Sequence, residues 1–232
     1  MNKTKTTYQA NPRHYVAVDS IVFGFDGEDL KILLIKRKIE PLKGEWSLMG
    51  GFVQEKQSID QAAEIVLKNL TGLDNVYLEQ LSTFGEVQRD PIDRVISVAY
   101  YALIKLNEYD RQIVHNNGGE WFSISNYPKL ILDHEEMVQT AISKLRRKCR
   151  TQPIGFELLP EKFTIPQLQS LYEAIWMQKL DKRNFRKKFL SMNLLDKLEE
   201  KDKENSKKGA FYYKFNKEKY EQLTSRGFIF EI

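Results

Sequence analysis

The chain has 232 residues, 41% hydrophobic and 29% charged, an ordinary globular composition that excludes a disordered chain. No apolar run approaches the length needed to cross a bilayer, and Met1 to Pro12 lack the apolar stretch of a signal peptide, so a cytoplasmic protein with no membrane partner is expected. The single cysteine, Cys149, excludes an internal disulfide and a cysteine-based zinc site, and neither a metal nor a cofactor is expected. The net charge of +4 divides unevenly: residues 1–150 carry 20 basic and 20 acidic side chains, and the remaining 82 carry 16 and 12. That asymmetry points to an acidic partner for the C-terminal part.

Tyr15 to Phe25 and Lys31 to Lys36 are apolar, β-branched segments flanking Asp26-Gly27-Glu28-Asp29, a hairpin signature. Ser58 to Leu70 reads as a helix. Ser58 and Gln61 have capping-box spacing, Ile59, Ala62, Ala63, Val66, Leu67 and Leu70 recur at helical spacing, and Gly72 supplies the stop. Val95 to Ile104 is a long buried strand and Glu120 to Ile124 a short one. From Asp133, a suitable N-cap, the pattern is helical to the basic run Lys144, Arg146, Arg147, Lys148 and Arg150. Thr151-Gln-Pro-Ile-Gly155 breaks it, which sets domains at 1–150 and 151–232. Two helices follow, Ile165 to Gln178 and Lys182 to Met192, then an exposed charged loop from Asp196 to Lys208 and a strand, Phe211 to Phe215.

The run Trp46-Ser-Leu-Met-Gly-Gly-Phe-Val53, with the helix that ends at Thr71-Gly72-Leu73, resembles the box of the Nudix hydrolase family. Laid from Gly51 without a gap, Gly51, Leu67, Gly72 and Leu73 match. The glutamates by which family enzymes hold divalent metals do not: Gln57 replaces the first, Ile65-Val66 the Arg-Glu pair, and Asn69-Leu70 the Glu-Glu pair. Hard cations need anionic oxygen ligands, so catalysis by the usual mechanism is not expected. An active hydrolase stays open as the alternative.

In the second part, Lys182, Arg183, Arg186, Lys187 and Lys188 fall within seven residues, on the face opposite Phe185, Phe189 and Leu190. A cationic helix docked by aromatics, after a helix and a short turn, has the form of a recognition helix. Lys182, Arg183, Asn184, Arg186 and Lys187 are therefore candidate contacts to double-stranded operator DNA, with Lys207 and Lys208 in a wing. A solvated basic face is the plain alternative.

Phe163 to Ile175 together with Leu180 to Lys188 resembles the C-terminal domain of the NrtR-type, Nudix-related regulators, and Thr83 to Val95 is similar to the same family's run between two strands. The resemblance spans nearly the whole chain. It implies an α+β protein, a Nudix-type α/β/α sandwich followed by a C-terminal winged helix-turn-helix domain, acting as a repressor. A homodimer is expected, because one winged helix offers a small footprint that two-fold pairing doubles. Within the group the chain looks most like the arabinose-responsive repressors, and that resemblance alone supplies L-arabinose as the small sugar effector. Other members respond to ADP-ribose, and that effector stays open.

The effector is expected near the mouth of the Nudix cleft, among Glu86, Arg89, Asp90 and Asp93, with Lys43 and Trp46 approaching from the loop before Gly50. Planar polar groups would hold vicinal hydroxyls and an aromatic ring, Trp46 or Trp121, would face the sugar's C–H side. Mutual pairing among Arg89, Asp90, Asp93 and Arg94 is the bland reading of the same charges. His134 is a candidate pocket residue beside Asp133.

Overall fold

The computed structural model describes residues 11–109, 111–203 and 209–232; Lys207 and Lys208 lie outside them. The first part comprises β1 (Tyr15–Phe25), β2 (Leu30–Lys36), β3 (Trp46–Ser47), β4 (Met49–Phe52), α1 (Ile59–Thr71), β5 (Tyr77–Phe84), β6 (Val95–Lys105), α2 (Arg111–Asn116), β7 (Gly119–Ser123) and α3 (His134–Thr151). Its strands form one seven-stranded sheet in the order β3-β2-β1-β6-β5, with β4 also on β1 and β7 also on β2.

β1 is the axis of the sheet. It runs parallel to β6 along its whole length, from Tyr15 opposite Val95 to Phe25 opposite Lys105. Its first half also pairs with β4 and its second half with β2. The two-residue period of a strand divides its apolar side chains between two cores. Val18 and Val22 face α1 with Val98, Tyr100 and Ala102 of β6. Ile21, Phe23 and Phe25 face α3 with Ala99, Tyr101 and Leu103. Helices on both faces make the α/β/α sandwich and explain why the two strands read as nearly continuous apolar runs.

The local signals operate as expected at α1. Ser58 Oγ accepts from Gln61 N at 3.1 Å, Gln61 Oε1 accepts from Ser58 N at 3.0 Å, and Gly72 ends the helix at φ 73°. A glycine adopts that left-handed conformation without steric cost.

The second part contains a 3-10 turn at Ile154–Leu158, then β8 (Phe163–Thr164), α4 (Ile165–Trp176), α5 (Lys182–Ser191), β9 (Leu195–Asp202), β10 (Ala210–Phe215) and α6 (Lys217–Ser225). β8, β10 and β9 make an antiparallel sheet against α4, which is the winged-helix arrangement. The charged stretch expected as a loop from Asp196 is therefore a strand as far as Asp202. Lys197 and Lys201 lie over the ring of Phe211 at 3.6 and 4.3 Å, so the stems of long charged side chains cover an aromatic and the strand needs no apolar residue there. Leu190, expected on the apolar face of α5, is 37% exposed; Phe185 and Phe189 alone dock that helix.

α3 belongs to both parts. Met137, Val138, Ala141, Ile142 and Leu145 pack on the sheet, and the same continuous core runs on through Cys149 to Leu158, Tyr172, Phe189 and Phe230. Arg146 Nε donates to Ile175 O at 2.8 Å, and Trp176 Nε1 donates back to Arg146 O at 3.2 Å. Glu79 of β5 accepts from Lys144 at 2.9 Å, from Tyr101 at 3.0 Å, and from Tyr77 and Lys148. Among the described residues, no helix is long and apolar enough to cross a membrane.

Burial alone would raise the Glu79 carboxyl, but the hydrogen bonds from Lys148, Tyr77, Lys144 and Tyr101 outweigh it and bring it down to about 2. A carboxyl depressed on folding stabilises above its ordinary value near 4.5, and that contribution is lost as pH falls towards 2. Glu79→Gln should therefore lower stability at neutral pH by about 1–3 kcal/mol. It should also shallow the loss of stability between pH 5 and 2, read by urea titration of parent and variant side by side. An unchanged acid slope would remove Glu79 from this role.

Candidate functional site

A cavity of about 270 Å³ opens between β1, β4, the loop after β2, the loop before β6 and the start of α3. Asp19 points into it from the middle of β1 and is 7% exposed, with Oδ2 accepting from Ser97 Oγ at 2.5 Å. Gly50 lies opposite Asp19 in the β1–β4 pairing, and a Cβ there would fall 2.6 Å from Val18 O and onto Asp19 Oδ1. A Cβ on Gly51 would meet Val66 at 3.2 Å. The two glycines thus let β4 close over a buried carboxylate on one side and the box helix on the other.

Arg89 enters the same wall with its side chain 3% exposed. Its Nε and NH2 donate to the two Asp133 carboxylate oxygens at 2.8 and 2.7 Å, and NH2 lies 3.9 Å from Asp19 Oδ2. Burial opposes the charge on Arg89, but Asp133, Asp19 and Asp90 outweigh it and hold the guanidinium ionised. His134 Nδ1 accepts from Leu48 N at 3.1 Å, and this hydrogen bond assigns the ring proton to Nε2, 3.8 Å from Asp19 Oδ1. Burial lowers the His134 pKa, so the ring is neutral. The buried groups on this wall are thus the Asp19 and Asp133 carboxylates and the Arg89 guanidinium, a net negative charge, with Asp133 outside the cavity lining. Arg37 and Lys38 also line the cavity, Lys38 as an exposed residue. They now donate to backbone carbonyls, Arg37 to Pro41 O at 2.7 Å and Lys38 to Asn116 O at 3.0 Å. Chemically, the cleft offers carboxylate acceptors for hydroxyl groups and cations for an anion.

The structure brings together Arg89 and Asp90 of the expected effector set, and both line this cavity. Glu86 lines a neighbouring cavity on the far side of the Arg89–Asp133 pair. Lys43 and Asp93 are exposed and lie outside the cleft lining. Trp46 also lies outside it; its ring packs edge-on against Phe122 at 4.9 Å beneath Lys36. Mutual pairing of the loop charges does not describe Arg89, whose partners come from β1 and the start of α3. Asp133 occupies the N-cap position of α3 but makes no side-chain cap bond, because Arg89 takes its carboxylate. Sequence reading missed Asp19, Arg37 and Lys38. Asp19 had a signal: a lone carboxylate amid an apolar strand is rarely buried without a partner or a task.

The box positions show what became of the metal site. Gln57 Oε1 accepts from Gln54 N at 3.2 Å, Val66 faces Gly51, Leu70 is buried and Ile65 is 44% exposed. These side chains do not fit a divalent cation, and no group of three or more His, Cys, Asp or Glu among the described residues could hold one. Asp60 is engaged by the hydroxyl of Tyr100.

The second site is α5. Asp181 caps it by accepting from Asn184 N at 2.8 Å, and Phe185 and Phe189 pack on Tyr172 at 5.7 and 5.2 Å. Lys182, Arg183, Asn184, Arg186, Lys187 and Lys188 are all exposed, and none pairs with a carboxylate among the described residues. Glu173 fixes the turn before the helix, accepting from Leu180 N at 3.0 Å, Gln169 Nε2 at 2.8 Å and Lys179 Nζ at 2.9 Å. The cationic face is thus presented by a hydrogen-bonded turn and, among the described residues, pairs with no carboxylate.

A Nudix-type sandwich joined through one long helix to a winged helix defines a Nudix-related, DNA-binding regulator. The chain belongs to the NrtR family of these regulators: residues 13–141 match the NUDIX domain family and residues 155–215 match the NrtR DNA-binding winged helix domain. It is 34% identical to the ADPR responsive transcriptional repressor NtrR of Acinetobacter baylyi over 214 residues, 90% of this chain and 85% of the relative. It is also 36% identical to an ADP-ribose pyrophosphatase of Methanocaldococcus jannaschii over 124 residues, 53% of this chain and 70% of that enzyme. The crystal structure of Shewanella oneidensis NrtR complexed with a 27mer DNA superposes with a TM-score of 0.79 at 28% identity, covering 86% of this chain and 93% of that one.

The close approach at Gly50 gives a direct test. Gly50→Ala must displace Asp19 or the β1–β4 pairing, and should destabilise the protein by about 1–3 kcal/mol in urea unfolding. A variant as stable as the parent would show that the cleft wall yields freely at this point.

Proposed function

We propose that the protein is a transcriptional repressor that reads ADP-ribose in the Nudix cleft and leaves its operator when the cleft is filled. The observation that carries this reading is the polarity of the cleft. Asp19 and Asp90 offer acceptors for the ribose hydroxyls, while Arg37 and Lys38 offer cations for a diphosphate. The response named for the Acinetobacter baylyi relative supports the same effector. In this reading Arg89 and Asp90 belong to the effector site, and Lys182, Arg183, Asn184, Arg186 and Lys187 contact DNA as a homodimer engages two half-sites. The Nudix domain hydrolyses nothing, since Gln57, Val66, Asn69 and Leu70 stand where metal-binding glutamates belong.

L-arabinose is the second reading, and one observation favours it. Two carboxylates, Asp19 and Asp90, line the cavity beside a guanidinium, Arg89, that Asp133 already holds. Such a site suits a neutral polyol, whose hydroxyls donate to carboxylates, better than a phosphate. The two readings share a pentose and differ in whether phosphates accompany it.

Calorimetry with ADP-ribose, L-arabinose and D-xylose, followed by anisotropy on a duplex selected by the protein from random sequences, separates them. ADP-ribose is expected to bind and to weaken DNA affinity about 5–150-fold. Binding of arabinose without ADP-ribose would replace the first reading by the second. Magnesium-dependent turnover of ADP-ribose, abolished by a chelator, would refute the non-catalytic assignment.

The DNA assignment has its own test. Changing Arg183, Asn184, Arg186 and Lys187 together to Ala should leave the circular dichroism intact and remove specific binding. For every phosphate that such a change leaves unneutralised, the salt dependence of binding flattens by about one unit. A folded quadruple variant that still bound its duplex at parental affinity would overturn it.

A further inference from the structure

The contact between Arg89 and Asp133 sits where the cleft ends and α3 begins. Asp133 stands at the N-cap position with φ −97° and ψ 15°, yet its side chain makes no cap hydrogen bond because both oxygens are held by Arg89. Leu132, immediately before it, lines the cleft and is held at φ 49°, a left-handed conformation unfavourable for a residue with a branched side chain. A carboxylate at a helix N-cap ordinarily accepts from the N–H groups of the first turn and is favoured there by the helix dipole. Asp133 therefore has two competing uses, and the pairing with Arg89 satisfies only one.

We propose that Arg89 and Asp133 form the switch by which an occupied cleft reaches the DNA-binding helix. Resting on the reading that an effector binds beside Asp19, the switch works by competition for one guanidinium. An acceptor oxygen of the effector, from a phosphate or a sugar hydroxyl, takes Arg89, the cation nearest Asp19. Asp133 is released and caps α3, and the strained joint at Leu132 relaxes. The start of α3 then shifts relative to the cleft wall.

The far end of α3 is built to pass such a shift on. The helix is 18 residues long, about 27 Å, and is packed along its length. Near its C-terminal end the reciprocal bonds between Arg146 and the Ile175–Trp176 pair grip the end of α4. α4 in turn carries Tyr172, on which Phe185 and Phe189 of α5 rest, and Glu173, which fixes the turn between the helices. A tilt of α3 therefore re-aims the cationic face of α5 while the winged helix keeps its internal packing.

The test uses the full-length protein and a duplex that it selects from random sequences. Asp133→Asn keeps a good capping side chain and loses the charge that holds Arg89; Asp133→Ser does the same with a shorter group. Both are expected to weaken DNA binding in the absence of any ligand, about 5–150-fold and towards the value of the ligand-saturated parent. Both should also bring the ratio of DNA affinities with and without ligand close to one, while binding ADP-ribose or L-arabinose more tightly than the parent, because Arg89 is already free. Folded variants that bind DNA as the parent does would overturn the switch. So would variants that both fail to fold by thermal melting, since the pair would then serve the fold. The ligand-free DNA measurement decides the switch even if the parent binds neither ligand, an outcome that would instead sink the effector assignment.

Discussion

The apolar face of α3 has to satisfy two bodies at once. Toward its start, Met137, Val138, Ala141 and Ile142 cover the lower face of the sheet. Toward its end, Leu145 and Cys149 continue into the core of the winged helix. Protein interiors are close-packed and respond to displacement by moving as units. A shift of α3 within its packing is therefore carried into both bodies, and the helix is the one element that both must follow. The Glu79 cluster reinforces this by tying the outer face of the helix to the edge strand β5. Everything else, including the cleft at one end and the turn at the other, is arranged around a strut that is rigid and shared.

The parts that were legible in the sequence are those ruled by local chemistry. Ser58 with Gln61 forms its capping box because only nearby residues are involved, and Phe185 with Phe189 docks α5 because their spacing places both on one face. The alternation along β1 and β6 was hidden, since both faces are buried and both read as apolar. What failed depended on partners far away in the chain. Asp133 has the sequence of a cap but is claimed by Arg89, 44 residues earlier. β9 has the composition of a loop, yet β10 and the ring of Phe211 make a strand of it. Trp46 looked available to a sugar and is spent on Phe122. Asp19 could be noticed as an oddity, but its neighbours Ser97 and Arg89 are visible only once the strands are paired.

The loss of the box carboxylates and the retention of its glycines make one physical picture. A hydrolytic centre needs charge concentrated on the box helix, facing the phosphates. Here the box positions of that helix carry methyl groups and amides, and the charged groups of the cleft come from β1, the loop after β2 and the loop before β6. Gly51 of the box, like Gly50 before it, answers to space: β4 comes too close to Val66 and Asp19 for a side chain at either position.

Cys149 has a consequence of a different kind. It lies fully buried on the seam between the two bodies, its thiol pushed up to about 12 by burial, and it is the only cysteine in the chain. A thiol so placed is inert toward alkylating reagents while the seam is shut, and becomes reactive only when α3 parts from its neighbours. The molecule thus carries an intrinsic clock: the rate at which a small thiol reagent modifies Cys149 counts how often the strut detaches. An effector that tilts α3 as a packed unit leaves that clock running at its resting rate, whereas one that works by loosening the junction makes it run fast.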